Sequence, residues 1–315
     1  MINANTIIVG GGPAGSTCAW KLKQAGIDCL VLDKQQFPRT KLCAGWITPQ
    51  VLKDLDLDSE QYPHSLTPFK KLYFHVFGIR LGKRTRQYAI IRNEFDNWLL
   101  ERAGIPVHQH DVRKVTRDGE GYIIDDEYRC RHLVGAGGTH CPVYRTFFSS
   151  NHPHQASSLI VSMEEEFAYD YQDDRCHLWF FENKLPGYSW YVPKRNGIVN
   201  VGIGGIASTI KQRGTTIRDH WDLLIKKIGK LSLVKDRPFQ PKGYTYYLKQ
   251  KQNRLQNDGC YIVGDAAGVA TRDMGEGIGP AIKSGILAAN AIANNCNYSL
   301  ESIPSYSLPG ILWSR

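Results

Sequence analysis

Two groups of residues in this sequence have the types and spacing to do chemistry. Gly10-Gly11-Gly12-Pro13-Ala14-Gly15 is a G-x-G-x-x-G run, and Asp33 follows it. Glycines at these positions hold a dinucleotide. The first permits a tight turn, the second lets backbone approach a pyrophosphate, and the third lets a helix pack closely on a strand. Free N–H groups at the start of the helix meet the phosphates, and an acid about twenty residues on accepts hydrogen bonds from an adenosine ribose. The second group lies far downstream, in Gly264-Asp265 and Gly275-Glu276-Gly277-Ile278-Gly279. There Asp265 would reach the ribityl hydroxyls of a flavin. Amides near Gly277 and Gly279 would face the ring edge where negative charge gathers on reduction. An NAD enzyme has no need of a second loop returning to the same site, so the two groups together point to FAD. Metal chemistry is not expected. The cysteines at 18, 29, 43, 130, 141, 176, 260 and 296 include no C-x-x-C, and His108/His110 and His152/His154 lack partners at ligand spacing.

Strands and helices must place these residues. Thr6–Val9 is a short apolar β-rich run, Ser16–Gln24 reads as a helix ended by Gly26, and Cys29–Leu32 reads as a strand closed by Asp33. Downstream the order repeats: a strand through Val263, an acid at its carboxyl end, a glycine-rich loop and a helix from Pro280 to Ala293. In a doubly wound sheet, ligands bind outside the carboxyl ends of the strands.

The 315 residues suggest two domain-sized units, and a 42% hydrophobic content excludes a disordered or fibrous chain. No run reaches the 18 or so apolar residues that a membrane span requires. The N-terminus enters a strand without a basic leader and apolar stretch, so a cytoplasmic protein is expected. The formal net charge is +9, and residues 211–254 carry 12 Lys/Arg against 3 Asp, which accounts for the whole excess. Within that stretch Ile217, Trp221, Leu224, Ile225, Ile228 and Leu231 recur at helical spacing, with Lys226, Lys227 and Lys230 on the other side. Such a helix packs on its own domain with a solvated basic face; the alternative is a surface for anionic lipid headgroups or an acidic electron donor. Nucleic acid is not expected, because no binding motif accompanies the charge.

Five segments in order resemble the geranylgeranyl reductase family of flavoproteins, within the para-hydroxybenzoate hydroxylase-like FAD superfamily. They are the Gly10–Gly15 fingerprint; Phe37-Pro38-Arg39-Thr40-Lys41-Leu42-Cys43-Ala44-Gly45; Arg92 with Phe95-Asp96 and Leu99; Pro186-Gly187-Tyr188-Ser189-Trp190-Tyr191-Val192-Pro193-Lys194 followed by Asn200-Val201-Gly202; and Gly264-Asp265 with Gly275-Glu276-Gly277-Ile278. The resemblance implies an α/β fold in which a Rossmann-like FAD domain is interrupted by an α+β substrate domain with a twisted antiparallel sheet. The FAD domain would take 1–68, 92–150 and 254–301, the substrate domain 69–91 and 151–253, and a C-terminal tail 302–315. Runs at Lys71–Phe77, His177–Phe181 and Val199–Ile203 would be substrate-domain strands, with a hairpin from Tyr73 to Ile91.

By the same resemblance, Gly10, Gly12, Pro13, Ala14, Gly15, Asp33 and Lys34 would hold the ADP half of FAD. Arg39, Arg92, Val112, Gly264 and Asp265 would follow the pyrophosphate and ribityl chain. Cys43, Ala44, Gly45, Gly275, Gly277, Ile278 and Gly279 would surround the flavin ring. Tyr188 and Trp190 would shape an apolar slot over it, with Cys43 as a proton donor or cation-stabilising group. The implied reaction is saturation of isolated double bonds in a prenyl lipid. Electrons would come from a reduced ferredoxin- or flavodoxin-like protein or NAD(P)H, with peripheral membrane contact through 211–254. The same fold serves flavin monooxygenases and halogenases, electron-transfer flavoproteins and non-catalytic FAD proteins, which stand as alternatives.

The sequence departs from the pattern in three places. Gly137 in Gly135-Ala136-Gly137-Gly138-Thr139 stands where an Asp is usual, which bears on NADPH use. Ala270-Thr271-Arg272-Asp273-Met274 replaces the usual Asn-Pro approach to the Gly-Glu-Gly-Ile loop. Relatives continue further past the helix ending near Ala293, so one wall of the substrate cavity is expected to be thin or open.

Overall fold

The computed structural model describes residues 1–235, 237–250 and 255–313. Residues 236 and 251–254 of the basic region and 314–315 of the tail lie outside the described residues.

Two sheets make the frame. The first centres on β1 (Ile2–Val9), which pairs in parallel with β2 (Cys29–Asp33) on one side and β9 (Tyr128–Gly135) on the other. β6 (Val107–Gln109) extends it beyond β2; β16 (Cys260–Ile262) and then β15 (Gln256–Asn257) extend it beyond β9. β7 (Val115–Asp118) and β8 (Gly121–Ile124) form an antiparallel flap on β9. Ile7, Ile8, Val31, Leu32, Leu133 and Val134 are completely buried. A parallel sheet covered on both faces requires such unbroken apolar runs. The first helix spans Pro13–Gln24, three residues longer at its start than the sequence suggested, and the downstream helix spans Ile278–Asn294. They cross closely at Gly285, where a Cβ would lie 2.3 Å from the Ala14 carbonyl oxygen.

The second sheet runs β14 (Lys242–Tyr247), β10 (Leu159–Ala168), β13 (Ile198–Ile206), β12 (Gly187–Lys194), β11 (Cys176–Phe180), β4 (Leu66–Val76), β5 (Ile79–Ile90) and β3 (Trp46–Ile47). It is antiparallel except where β11 meets β4 in parallel. The exception arises because the β4–β5 hairpin enters from an earlier part of the chain and docks on the edge of a meander made later. The hairpin begins at Leu66, not Tyr73, and turns at Phe77-Gly78.

Alternate residues of this sheet face opposite ways, as the pleat dictates. Trp179, Tyr191, Val201 and Ile203 pack against Trp221, Leu224 and Ile228 of a helix spanning Ile217–Lys230. The Thr216 hydroxyl accepts from the Asp219 amide and the Asp219 carboxylate accepts from the Thr216 amide, which fixes where the helix starts. Leu231 lies past its end and is exposed. The other face of the sheet, with Leu178, Trp190 and Val192, turns towards the first sheet. The segment after Ile278–Asn294 returns to that junction. The Asp273 carboxylate accepts from the Ser307 and Leu308 amides at 3.0 and 2.7 Å, and Ile311 packs with Phe69 and Met274. This returning segment places Ser307 and Ile311 against the space between the two sheets.

Candidate active site

A cavity of about 980 Å³ lies between the carboxyl ends of the first sheet's strands and the open face of the second. Its floor at one end is Val9, Gly10, Gly12, Pro13 and Ala14. Gly10 sits at φ +113°, and a Cβ there would lie 2.4 Å from the Ala136 carbonyl oxygen, so only glycine fits the turn. Gly12 caps the helix with no side-chain hydrogen bond, which leaves the first-turn N–H groups for a ligand. Asp33 closes β2 beside Lys34. One carboxylate oxygen accepts from the Gly11 amide at 2.7 Å and the other from the Gln35 amide at 2.8 Å, so the acid also holds the glycine turn in shape. Val112 completes this end.

Cations occupy the middle. The Arg92 guanidinium forks onto Asp96 with two bonds of 2.8 Å, and an Arg39 nitrogen lies 3.7 Å from the same carboxylate. Burial opposes charge on Arg92, but Asp96 outweighs it and the guanidinium stays protonated. Arg92 is thus committed to a buried ion pair while it also lines the cavity. Asp265 accepts from the Tyr244 hydroxyl at 3.0 Å and faces the Lys41 ammonium at 3.8 Å. Lys41 stands 3.1 Å over the Tyr244 ring, and burial lowers it to about 8 in spite of Asp265.

The far end is aromatic and glycine-rich. Cys43, Ala44, Gly275, Gly277 and Ile278 face Tyr188, Trp190, Ser162, Glu164 and Tyr246. The Tyr188 hydroxyl donates to the Met274 carbonyl at 2.6 Å. The Trp190 indole donates to Asn200 Oδ1 at 2.7 Å, and the Asn200 amide donates to the Cys43 carbonyl at 3.3 Å. The helix at Gly277 starts, like the first, without a side-chain cap. Gly264 lines the cavity beside Asp265. Gly15, Gly45 and Gly279 do not line it. A Cβ at Gly15 would lie 1.9 Å from the Gly10 carbonyl oxygen, one at Gly45 2.1 Å from that of Ile90, and one at Gly279 2.7 Å from Glu276 Oε1. Gly15 and Gly45 let backbone come close, and Gly279 leaves room for the Glu276 side chain.

A uncharacterised protein of Methanosarcina barkeri is 32% identical over 311 residues, 94% of this chain and 76% of that protein. A menaquinone reductase of Mycobacterium tuberculosis is 27% identical over 92% of this chain and 76% of that protein. A digeranylgeranylglycerophospholipid reductase of Methanopyrus kandleri is 26% identical over 90% of this chain and 79% of that protein. The chain belongs to the geranylgeranyl reductase family.

Residues 8–58 of this reductase-family chain match the NAD(P)-binding Rossmann-like domain model. A solved structure, a geranylgeranyl bacteriochlorophyll reductase-like protein from Thermoplasma acidophilum, superposes with a TM-score of 0.80 at 21% identity, covering 94% of this chain and 80% of that one, and so shares its fold. Family membership makes the chain an FAD-dependent oxidoreductase. Its own geometry fits that cofactor. Two uncapped helix N-termini open on one cavity, with arginine and lysine side chains between them and an acid after β2. This donor set suits a pyrophosphate flanked by ribose at one end and an electron-accepting ring at the other.

Some site residues escaped the sequence reading. Glu164 is 3% exposed, and its Oε1 has no hydrogen-bond partner among the described residues. Burial pushes its carboxyl up to about 8, against the pull of Lys194 and with the help of Glu166. Lys194 is itself buried, bonded to Glu166 and donating to the Ile90 carbonyl at 2.9 Å. Burial likewise pushes Glu276 up to about 7, with Asp273 adding to it. Beyond Tyr188, Trp190, Tyr246 and Gly275 a second cavity of about 1510 Å³ shares those residues and continues outwards between Phe74, Val76, Ile160, Phe180 and Leu185.

Proposed function

We propose that this chain saturates carbon–carbon double bonds in the prenyl chain of a lipid, with a phospholipid, quinone or chlorophyll precursor as the headgroup class. One observation carries the reading. The end of the cavity suited to the flavin ring opens, past Tyr188 and Trp190, into a long apolar groove. A polar aromatic substrate needs hydrogen-bonding groups around its ring; an isoprenoid needs only width, length and dryness.

When bound, FAD supplies hydride from its reduced form. The chain's residues must do the rest. An isolated alkene accepts hydride only if a proton reaches the neighbouring carbon, so the site needs a proton held in an apolar channel. Among the groups facing this cavity, the Cys43 thiol and the Glu164 and Glu276 carboxyls are candidates. We assign the donation to Glu164. It lines the cavity opposite Trp190, burial pushes its carboxyl up to about 8, and its Oε1 has no hydrogen-bond partner among the described residues. Cys43 then flanks the ring. Tyr188 and Trp190, each anchored by its polar tip, hold the alkene in plane and exclude water. The electron donor is a reduced ferredoxin- or flavodoxin-like protein or NAD(P)H. Gly137, in place of an acid, packs against Cys141 and argues for the protein donor.

The test is a spectrum. The purified protein is loaded with FAD, reduced without oxygen and mixed with a geranylgeranyl phospholipid. Flavin absorption that returns on adding lipid supports the reading; absorption that stays bleached until air enters overturns it.

A further inference from the structure

Ten large apolar side chains are exposed among the described residues, and four of them gather at one place. Phe77 (82% exposed), Ile79 (63%) and Leu81 (57%) form the turn of the β4–β5 hairpin, and Phe181 (51%) follows β11. The Phe77 and Phe181 rings stack at 6.2 Å. Water-facing apolar surface of this kind marks a contact site, and nothing among the described residues covers it.

Charge says what the contact is. The hairpin strands carry Lys70, Lys71, Arg80, Lys83, Arg84 and Arg86 and no acid, and among the described residues none of the six forms an ion pair. Lys83 and Arg213 line the groove mouth beside Phe77, Leu81 and Phe181. Aromatic tips inside a basic collar suit the interface of an anionic bilayer. Of large apolar side chains, the basic helix Ile217–Lys230 exposes only Leu223 and, just past its end, Leu231, with no aromatic side chain among them. Its Trp221, Leu224 and Ile228 are buried and its Lys227 is bound to Glu182.

Position adds a second argument. From the tip, rings follow one another inwards: Phe181 to Phe180 at 5.9 Å, Phe180 to Tyr188 at 4.9 Å and Tyr188 to Trp190 at 5.6 Å. The exposed patch is the outer end of the apolar groove.

We propose that the hairpin tip at Phe77, Ile79, Leu81 and Phe181 inserts into the interface of a bilayer bearing anionic lipids, so that the groove opens onto the membrane. An apolar chain then passes from lipid to cavity without crossing water. The docking goes beyond the proposed reaction, and its test reads binding instead of turnover, so either idea fails separately.

The FAD-loaded protein is sedimented with vesicles of phosphatidylglycerol and phosphatidylcholine, and with phosphatidylcholine alone. Binding to the anionic vesicles is expected. F77S/F181S should weaken it about tenfold or more, and K83E/R84E/R86E should weaken it as strongly, whereas K226E/K230E should leave it near wild type. F77W in the otherwise native chain gives a readout that does not depend on a disruptive change: its emission should shift to the blue and be quenched by brominated lipid. Vesicle binding unaffected by F77S/F181S, or an F77W emission that vesicles do not change, overturns the proposal. So does binding lost in K226E/K230E alone, which would place the contact on the helix, and so does absence of vesicle binding in the native protein.

Discussion

The hydroxyl of Tyr188 donates to the carbonyl of Met274 at 2.6 Å, joining a central strand of the second sheet to the loop that leads into Gly275. Both ends of this bond line the cavity, so it sets the distance between the aromatic wall and the glycine-rich one. Y188F keeps the ring and removes the donor. The Met274 carbonyl then loses its partner at a cost of about 1–2 kcal/mol, and the loop before Gly277 gains freedom. Weaker FAD binding, by several-fold in a fluorescence titration, is the expected result. Unchanged affinity with the same loss of stability would show that the bond serves folding alone.

Gly202 makes room for Trp190. A Cβ at position 202 would lie 2.2 Å from Trp190 Cζ2 and 2.8 Å from the Glu164 Cβ. G202A therefore forces the indole to move, and the Trp190–Asn200 bond and its continuation to the Cys43 carbonyl move with it. Overpacking of this kind costs about 1–3 kcal/mol. Thermal unfolding should show that loss, and lipid-driven reoxidation of the reduced protein should slow much more than FAD affinity falls.

The ion pair of Arg92 and Asp96 is a buried charge pair four residues apart on one helix. R92M leaves a fully buried carboxylate with only Arg39 at 3.7 Å, and breaking such a pair costs about 3–5 kcal/mol. R92M/D96L removes both charges and should recover most of the stability in urea denaturation, while FAD affinity stays low because the cavity has lost a cation. Recovery of both would mean that Arg92 acts only on the fold.

Much of this site was readable because backbone conformation dictates residue type. A turn like that at Gly10 admits only glycine, and an acid after β2 has one geometric place, so Gly10, Gly12 and Asp33 announce themselves by spacing. Glu164 does not. It stands in Met163-Glu164-Glu165-Glu166, which has the look of a solvated acidic run. Strand alternation separates the three: Glu165 turns outwards to Arg237 and the Gln240 amide, while Glu164 turns into the cavity opposite Gly202. That assignment needs the register of β10 against β13, which no local pattern supplies. Within the basic stretch 211–254 the partners are likewise unreadable locally, since Lys227 and Arg237 meet Glu182 and Glu165 from distant parts of the chain. The hairpin tip at Phe77 was legible as residues but not as exposure.

Glu164 gives the sharpest pH prediction. Burial raises its carboxyl from the ordinary 4.5 to about 8. A carboxyl raised in the folded state contributes stability that is full below about 4.5 and is lost as pH rises through about 8. Between those limits the native protein should lose stability relative to E164Q, at up to about 1.4 kcal/mol per pH unit. Glu276, raised to about 7, has the same sign, but it is present in both proteins and cancels in the difference. Denaturation curves across that range, compared pairwise, therefore isolate Glu164 without any turnover. For catalysis the same proton matters differently. Lipid-driven reoxidation should decline above about pH 8 as one group ionises, and E164Q, neutral but unable to donate, should be slower by roughly 10²–10⁴ at every pH, with the KM for lipid little changed. If C43A shows that loss and E164Q does not, the proton comes from the thiol, and the neutral carboxyl is only part of the wall.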